Sequence, residues 1–504
     1  MTNEGNGRIA TSSAIAVLGS ASDVGKSLVS AALCRLLTDA GYDTVPFKAQ
    51  NMANQAGVTA DGLEMPRAQI LQALACRKRP SVDMGPVLMK PVTTTGAQII
   101  VLGKAVGFKE ARDYFADTSR LAEVAESSLD RLMASHRVIV IEGAGSPVEI
   151  NLWPRDFTNL RMARHAGAAI ILVVDIDRGG SFAQAKGTLD LMPLADRERV
   201  IGIIVNRFRG DLALYDEGIP LLEQLCGVPV LGVIPHFEHG LDEEDRPIRL
   251  PIDAKPLPNR LHVGVVLYPR VSNTEDLSPL LSEPDIQLTW VTDPKLIAEQ
   301  DLIVLPGTKA TIGDLVAITA SGVAEAVLGA VANGAWVLGL CGGYQMLGGQ
   351  LLDEAGTEGG PKRWRGLELL PFDTEFGAEK ILGQRSLVSA WPERNLPLLG
   401  YEIHHGRSAL SGSRGEPLAI TFGAEVGWSC ERAVGAYLHG LLTSDNWRSV
   451  FLNTVRKDRH LPEQPVQVAS DIDIRISRWA AHVKAYLRSG AWERILGSLS
   501  GSSK

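Results

Sequence analysis

The chain has no C-x-x-C pair, although it carries five cysteines, Cys34, Cys76, Cys226, Cys341 and Cys430. An odd and scattered set argues against both a disulfide framework and a zinc ribbon. Long apolar runs are missing as well. The longest, AGAAIILVV at 166–174, is about half of what a bilayer crossing needs. The first thirteen residues are polar, and the run Ala14–Leu18 after them is too short for a signal-peptide core. Nor is there an excess of positive charge: 50 basic against 58 acidic residues give a net charge of −8. That balance argues against bulk nucleic-acid binding. The absences together predict a cytoplasmic enzyme of a reducing compartment, with neither nucleic acid nor membrane among its partners.

What is present is a chain of 504 residues, 45% hydrophobic, with 51 glycines. At roughly 150 residues per domain it holds about three domains or two large ones. Glycine above the usual share of about 7% fits the many strand-to-helix turns of α/β folds. The first half alternates helix-like stretches such as SLVSAALCRLLTDA with apolar runs at Ala14–Leu18, Thr44–Phe47, Val87–Lys90, Val138–Ile141, Ile170–Val174, Ile201–Val205 and Val230–Ile234. Continuous apolar runs are what strands buried on both faces require, so the pattern predicts a parallel sheet wrapped by helices. The segment 240–260, acidic and then proline-rich, reads as a linker. A second α/β series follows it, with LHVGVVLYP, IQLTWVT, DLIVLPG, AWVLGLCGG, GYEIHHG and VGAYLHG as its apolar segments. The expected division is a first domain over 1–250 and a second over 258–445. Helices over 446–504 are expected to pack on the second and end in a flexible GSLSGSSK tail.

The strand Ala14–Leu18 runs into GSASDVGKS, Gly19 to Ser27, and then into a helix. Glycine-freed backbone amides at a helix N-terminus wrap phosphate oxygens. Gly19, Asp23, Gly25, Lys26 and Ser27 are therefore expected to bind ATP, with Lys26 on the terminal phosphates and Ser27 on Mg²⁺. The loop is one residue longer than the usual phosphate-loop spacing. Glu142, ending the run VIVIE, stands at a strand C-terminus where an open sheet places its ligands, and could hold Mg²⁺ opposite Ser27.

In the second half, AWVLGLCGGYQ sets Cys341 between an apolar strand and a helix, flanked by Gly339 and Gly343. That is the thiol form of a nucleophile elbow. The amide of Gly342 is placed for an oxyanion hole, and Gly307, in LPGTK at another strand end, could supply the second donor. A cysteine nucleophile wants an imidazole: His439 in VGAYLHG is the candidate, with His404 and His405 as competitors.

The lengthened phosphate loop resembles that of dethiobiotin synthetase-like enzymes, which phosphorylate carboxylates; this likeness implies an adenine contact for Asn206. The second half resembles the flavodoxin-like α/β domain of class I glutamine amidotransferases. Leu441 stands where most of that class has a glutamate two residues after the histidine, as in the branch found in cobalamin biosynthesis. The segments PFKAQNMANQAGVTADGLEMPRAQ, PSVDMGPVLMKP, VDIDRGGSFA, NRFRGD, YPRVSNTEDLSPL, LCGGYQMLG, GYEIHHGR and GAYLHG together resemble the cobyric acid synthase family. The resemblance implies ATP- and glutamine-dependent amidation of a corrinoid polycarboxylate. The nearest alternative is the cobyrinate a,c-diamide synthase family. A non-enzymatic P-loop switch with a degenerate amidotransferase domain is the alternative of a different class. Lys48, Asp61, Glu64, Arg67 and Lys90 lie in or near these segments as possible phosphate or substrate contacts. A salt-bridged helix start accounts for Asp61, Glu64 and Arg67 equally well, and a solvated lysine for Lys90.

Overall fold

Six of the seven apolar runs of the first half form one parallel sheet. Its order is Val230–Pro235, Val200–Phe208, Ala169–Asp175, Ser13–Gly19, Val138–Glu142 and Thr44–Phe47. Every neighbouring pair is parallel. Both faces are covered by apolar layers, one around Phe47, Leu129 and Leu172 and the other around Val29, Leu33 and Ile171. This double burial is why the strands read as unbroken apolar runs.

The computed structural model describes residues 12–500, apart from 92–95, 117, 242–247, 249, 355, 357, 359–361, 412–416, 425 and 470. Residues 242–247 and 249 of the expected linker at 240–260, the first eleven residues and the end of the expected tail, 501–504, lie outside the described residues. The rest of that tail, 497–500, is the last turn of the helix Ala491–Ser500.

The seventh run, Val87–Pro91, departs from expectation. It sits in a separate mixed sheet of order Gln50–Met52, Val87–Pro91, Gly96–Val101, Lys104–Glu110. Met89, Ala97 and Ile99 pack there against Tyr114 in a small core of their own.

The chain divides into two units. The first comprises Met1–Ala53, Met65–Asp245 and Asp471–Lys504, and the second Asn54–Glu64 with Arg246–Ser470. In the second unit five parallel strands run in the order Ile286–Val291, Leu261–Val266, Leu302–Leu305, Trp336–Leu340, Ala433–Ala436. Antiparallel strands Gly427–Cys430 and Leu418–Ala419 extend it. GYEIHHG, expected within this α/β series, lies instead in a long antiparallel hairpin of Phe372–Val388 and Pro397–Leu410. The hairpin belongs to a separate four-stranded sheet with Gln350–Leu352 and Arg363–Arg365, so its backbone is paired outside the parallel sheet.

The C-terminal helices correct a second expectation. Asp445–Asp458 packs on the second unit through Trp447, Phe451, Leu452 and Val455. Ile472–Ala485 and Ala491–Ser500 belong to the first unit. The stripe Ile476, Trp479, Ala480 and Val483 is buried with Leu28, Leu33 and Cys34, against the helix Lys26–Asp39 that follows the phosphate loop. The Trp479 indole donates to the Leu28 carbonyl at 2.7 Å. The apolar stripe is thus covered by the sheet's own helix layer rather than by the second unit.

Candidate active sites

In the first unit, strand register raises Glu142 beside the loop: Val17 pairs with Glu142 and Gly19 with Val173. Gly19 has no room for a side chain, since a Cβ there would lie 2.6 Å from Val24 Cγ2. Gly25 turns the loop with φ of 93°, the left-handed region glycine tolerates. Around the loop is a cavity of about 280 Å³ whose walls include Asp23, Lys26, Ser27, Lys48, Glu142 and Arg207.

Lys26 Nζ reaches across the loop to the carbonyls of Ala21 and Gly145, at 3.0 and 3.1 Å. Ser27 Oγ donates to Glu142 Oε1 at 2.6 Å, and Lys48 Nζ donates to the same oxygen at 2.9 Å. Gln72 donates to Oε2 at 2.6 Å. Glu142 is fully buried. Burial alone would raise its carboxyl, but the Lys48 ammonium and these donors hold it below the usual carboxylate value. A hydroxyl and a charged carboxylate side by side, facing a phosphate-sized cavity, suit Mg²⁺, which takes one or two protein oxygens and completes its shell with water and phosphate.

Asp23, the residue of the lengthened loop, has φ of 55°. Its carboxylate accepts from Arg207 Nη2 at 3.0 Å and from Arg178 Nη2 at 2.5 Å. Asn206 lies beneath the loop, donating to the Val24 carbonyl at 2.9 Å. Lys90 is buried in its strand rather than solvated, and it does not line the cavity. Asp61 is exposed, and Arg67 begins the helix Arg67–Ala75. Glu64 belongs to the second unit, where it pairs with Lys380 at 2.7 Å. Gln69, Gln72 and Arg207, which sequence reading did not single out, complete the surroundings of Glu142 and Asp23.

In the second unit, Cys341 stands between the strand Trp336–Leu340 and the helix Gly342–Met346 with φ of 51° and ψ of −107°. Left-handed backbone at a non-glycine residue is the strain expected of a nucleophile elbow. The neighbouring glycines are sterically required. A Cβ on Gly343 would lie 1.9 Å from the Leu305 oxygen, and one on Gly339 would lie 2.7 Å from the Gly343 oxygen. Gly342 is the first residue of the helix, so its amide has no acceptor four residues back within it. Gly307 lies in a short strand paired to Val271–Ser272, and a Cβ added to it would stand 3.7 Å from His439 Cε1.

His439 is buried and held by a carboxylate that the sequence reading did not single out. Asp276, in the turn Thr274–Ser282, takes His439 Nδ1 on Oδ2 at 2.7 Å and the Gly440 amide on Oδ1 at 2.8 Å. Nε2 of His439 is buried and holds no hydrogen bond among the described residues. Burial works against charge on this ring, yet Asp276 and the neighbouring Cys341 sulfur raise its pKa from 6.5 to about 10. His404 is occupied otherwise: it stacks on Tyr437 with centroids 3.6 Å apart and contacts Glu402 at 3.4 Å. His405 is pushed down to about 4 by burial and by Lys380. The missing glutamate at Leu441 is thus replaced in space by Asp276, 163 residues before His439 in the sequence.

Comparison with known proteins fits both units. Residues 15–247 match the CobQ/CobB/MinD/ParA nucleotide binding domain, and residues 262–447 the CobB/CobQ-like glutamine amidotransferase domain. A cobyric acid synthase of Chlorobium phaeobacteroides strain BS1 is 44% identical over 96% of this chain and 99% of its own. That of Chlorobaculum tepidum is 46% identical over 87% and 90%, and that of Nostoc strain PCC 7120 is 41% identical over 90% and 94%. With a nucleotide-binding phosphate loop in one unit, a glutaminase domain in the other, and this likeness along nearly its whole length, the chain belongs to the cobyric acid synthases, glutamine-hydrolysing amidoligases of cobalamin biosynthesis.

Proposed function

We propose that this chain amidates the b, d, e and g carboxylates of adenosylcobyrinic acid a,c-diamide through acyl phosphates, using ammonia released from glutamine. The observation that carries the glutaminase half is the buried Cys341–His439–Asp276 arrangement on a strained elbow. Cys341 passes its thiol proton to His439 Nε2, its sulfur attacks the glutamine amide carbon, and the amides of Gly342 and Gly307 receive the developing oxyanion. His439 gives its Nε2 proton to the departing nitrogen as the carbon–nitrogen bond breaks. Water then hydrolyses the γ-glutamyl thioester to glutamate and restores the thiol.

In the first unit the phosphate loop binds ATP. Carboxylate is a poor electrophile, so a substrate carboxylate oxygen attacks the γ-phosphorus and ADP leaves. Ammonia then displaces phosphate from the acyl phosphate to give the amide. Lys26 and Lys48 supply positive charge at the cavity, and Gly19, Gly25 and Asp23 shape the loop. Ser27 and Glu142 would hold Mg²⁺, which neutralises phosphate charge when bound.

The test is mass spectrometry of the products formed from the a,c-diamide with ATP and glutamine. Four successive amidations are expected, whereas action only on the acid lacking the a and c amides would favour the cobyrinate a,c-diamide synthase alternative. Cys341→Ser should abolish glutamine hydrolysis yet leave amidation driven by added ammonia. Lys26→Ala should abolish amidation from either nitrogen source.

A further inference from the structure

Eleven residues of the first half of the sequence, Asn54–Glu64, leave the nucleotide-binding unit and fold as part of the glutaminase unit. The segment lies across the hairpin of Phe372–Val388 and Pro397–Leu410, tied at three places. Gln384 Nε2 donates to the Val58 carbonyl at 2.5 Å, Lys380 pairs with Glu64 at 2.7 Å, and the Tyr401 hydroxyl is 3.3 Å from the Ala56 carbonyl. Residues 55–59 are buried beneath these contacts.

Tyr401 is also bound to the proposed acid. Its ring stacks on that of His439 with centroids 5.0 Å apart and planes 17° apart. Its backbone exchanges two hydrogen bonds with His439, at 3.1 and 2.9 Å. The Tyr401 hydroxyl has a second acceptor, Glu275 Oε1, also at 3.3 Å, and Asn273 Nδ2 lies 3.4 Å from that hydroxyl and 3.3 Å from His439 Nδ1. A phenol has one proton to give. The Ala56 carbonyl of the strap and Glu275, the residue next to Asp276, compete for it.

We propose that Tyr401 is a positioning residue for His439, and that the strap Asn54–Glu64 sets it according to the state of the phosphate cavity. The chain on either side of the strap ends on that cavity's machinery: Asn51 and Met52 line it, and Gln69 and Gln72 contact Glu142. A ligand that orders those flanks orders the Ala56 carbonyl, and through Tyr401 the stacked imidazole. This inference rests on His439 acting in glutamine hydrolysis.

The experiment measures glutaminase rates of the full chain with and without MgATP and the a,c-diamide. The unmodified chain should hydrolyse glutamine several-fold faster with both present. Tyr401→Phe keeps the ring and removes the hydroxyl; it should lower kcat roughly three- to tenfold, leave KM for glutamine unchanged and flatten the response. Gln384→Ala, which removes one of the strap's three ties without altering Tyr401, should also weaken the response. Alkylation of Cys341 by iodoacetamide, followed on its peptide, should show a shifted pH profile in Tyr401→Phe; a loss of folded protein alone would lower the amount labelled and leave the midpoint in place. Unchanged kcat and response in Tyr401→Phe would overturn the proposal, as would a rate in the unmodified chain that ignores both ligands. His439→Asn separates the two readings: if it hydrolyses glutamine at the unmodified rate, the role of His439 itself fails.

Discussion

Replacing Asp276 by asparagine tests the glutaminase centre at its least obvious member. The carboxylate serves two donors, the His439 Nδ1 proton at 2.7 Å and the Gly440 amide at 2.8 Å. An asparagine side chain has only one acceptor oxygen. If that oxygen keeps the Gly440 amide, its NH₂ group faces Nδ1 and drives the ring proton to Nε2, the atom that must accept from the cysteine. In a serine triad this tautomer error costs about 10⁴ in kcat. A thiol is the better nucleophile and depends less on its base, so a loss of roughly 10²–10³ is expected here. The charge lost matters too. The rise of His439 from 6.5 to about 10 corresponds to something on the order of 5 kcal/mol between its protonation states, shared between Asp276 and Cys341. With His439 raised, the imidazolium persists until pH climbs through about 10, and the stability it contributes, full below 6.5, is lost over the same window. In Asp276→Asn the alkaline limb of glutaminase activity should therefore move down by roughly 1–3 pH units. The assay is glutamate release against pH, with ammonia-driven amidation as a control that should not change. An Asp276→Asn protein with unchanged kcat and an unchanged alkaline limb would refute the assignment of Asp276 as the group that orients His439.

Gly343→Ala should destabilise the glutaminase unit by more than about 3 kcal/mol, because the new Cβ meets a backbone oxygen that cannot yield; calorimetry of the full chain reads it. Trp479→Ala should cost about 3–5 kcal/mol and act on the nucleotide-binding unit, seen as weaker ATP retention and a lowered transition for that unit alone. Burial raises the Glu358 carboxyl to about 7, where it accepts from the Thr311 amide at 2.6 Å. A raised carboxyl contributes stability that is complete below the ordinary value near 4.5 and is lost as pH rises through 7. Denaturant midpoints should fall between pH 5 and 8 and become flat over that range in Glu358→Gln. Glu142→Gln should leave the glutaminase rate measured without MgATP or the a,c-diamide intact while removing ATP-dependent amidation, measured as amide product with ammonia supplied.

The features legible in the sequence were those whose cause is local. A phosphate loop is a stretch of backbone, so GSASDVGKS could be read directly, and the elbow glycines around Cys341 were required by crowding that the strand–turn–helix pattern already implied. Double burial made the parallel strands visible as apolar runs. Contacts made by distant chain were not legible. Asp276 lies 163 residues from the histidine it holds, in a turn whose acidic residues look like helix-start decoration. Val87–Met89 is an apolar run like those of the central strands, and its partners Gln50–Met52 and Gly96–Val101 show that it belongs elsewhere. The helical spacing of Ile472, Ile476, Trp479, Val483 and Leu487 announces a buried helix face but carries no address for what buries it.

That last helix face has a consequence for how the protein is made. The nucleotide-binding unit contains the earliest and the latest segments of the chain, Met1–Ala53 and Asp471–Lys504, while the glutaminase unit is largely contained between them. A ribosome adding roughly 5–20 residues per second needs some tens of seconds between residue 245 and residue 471. Through that interval the helix behind the phosphate loop has its apolar back, Leu28, Leu33 and Cys34, without the Trp479 stripe that covers it in the finished protein. The glutaminase unit can thus complete its sheet while the earlier-made unit still awaits its cover. Premature termination near residue 470 would spare the sequence of the phosphate loop and the Cys341 centre, yet leave the first unit with an exposed apolar face and a tendency to aggregate.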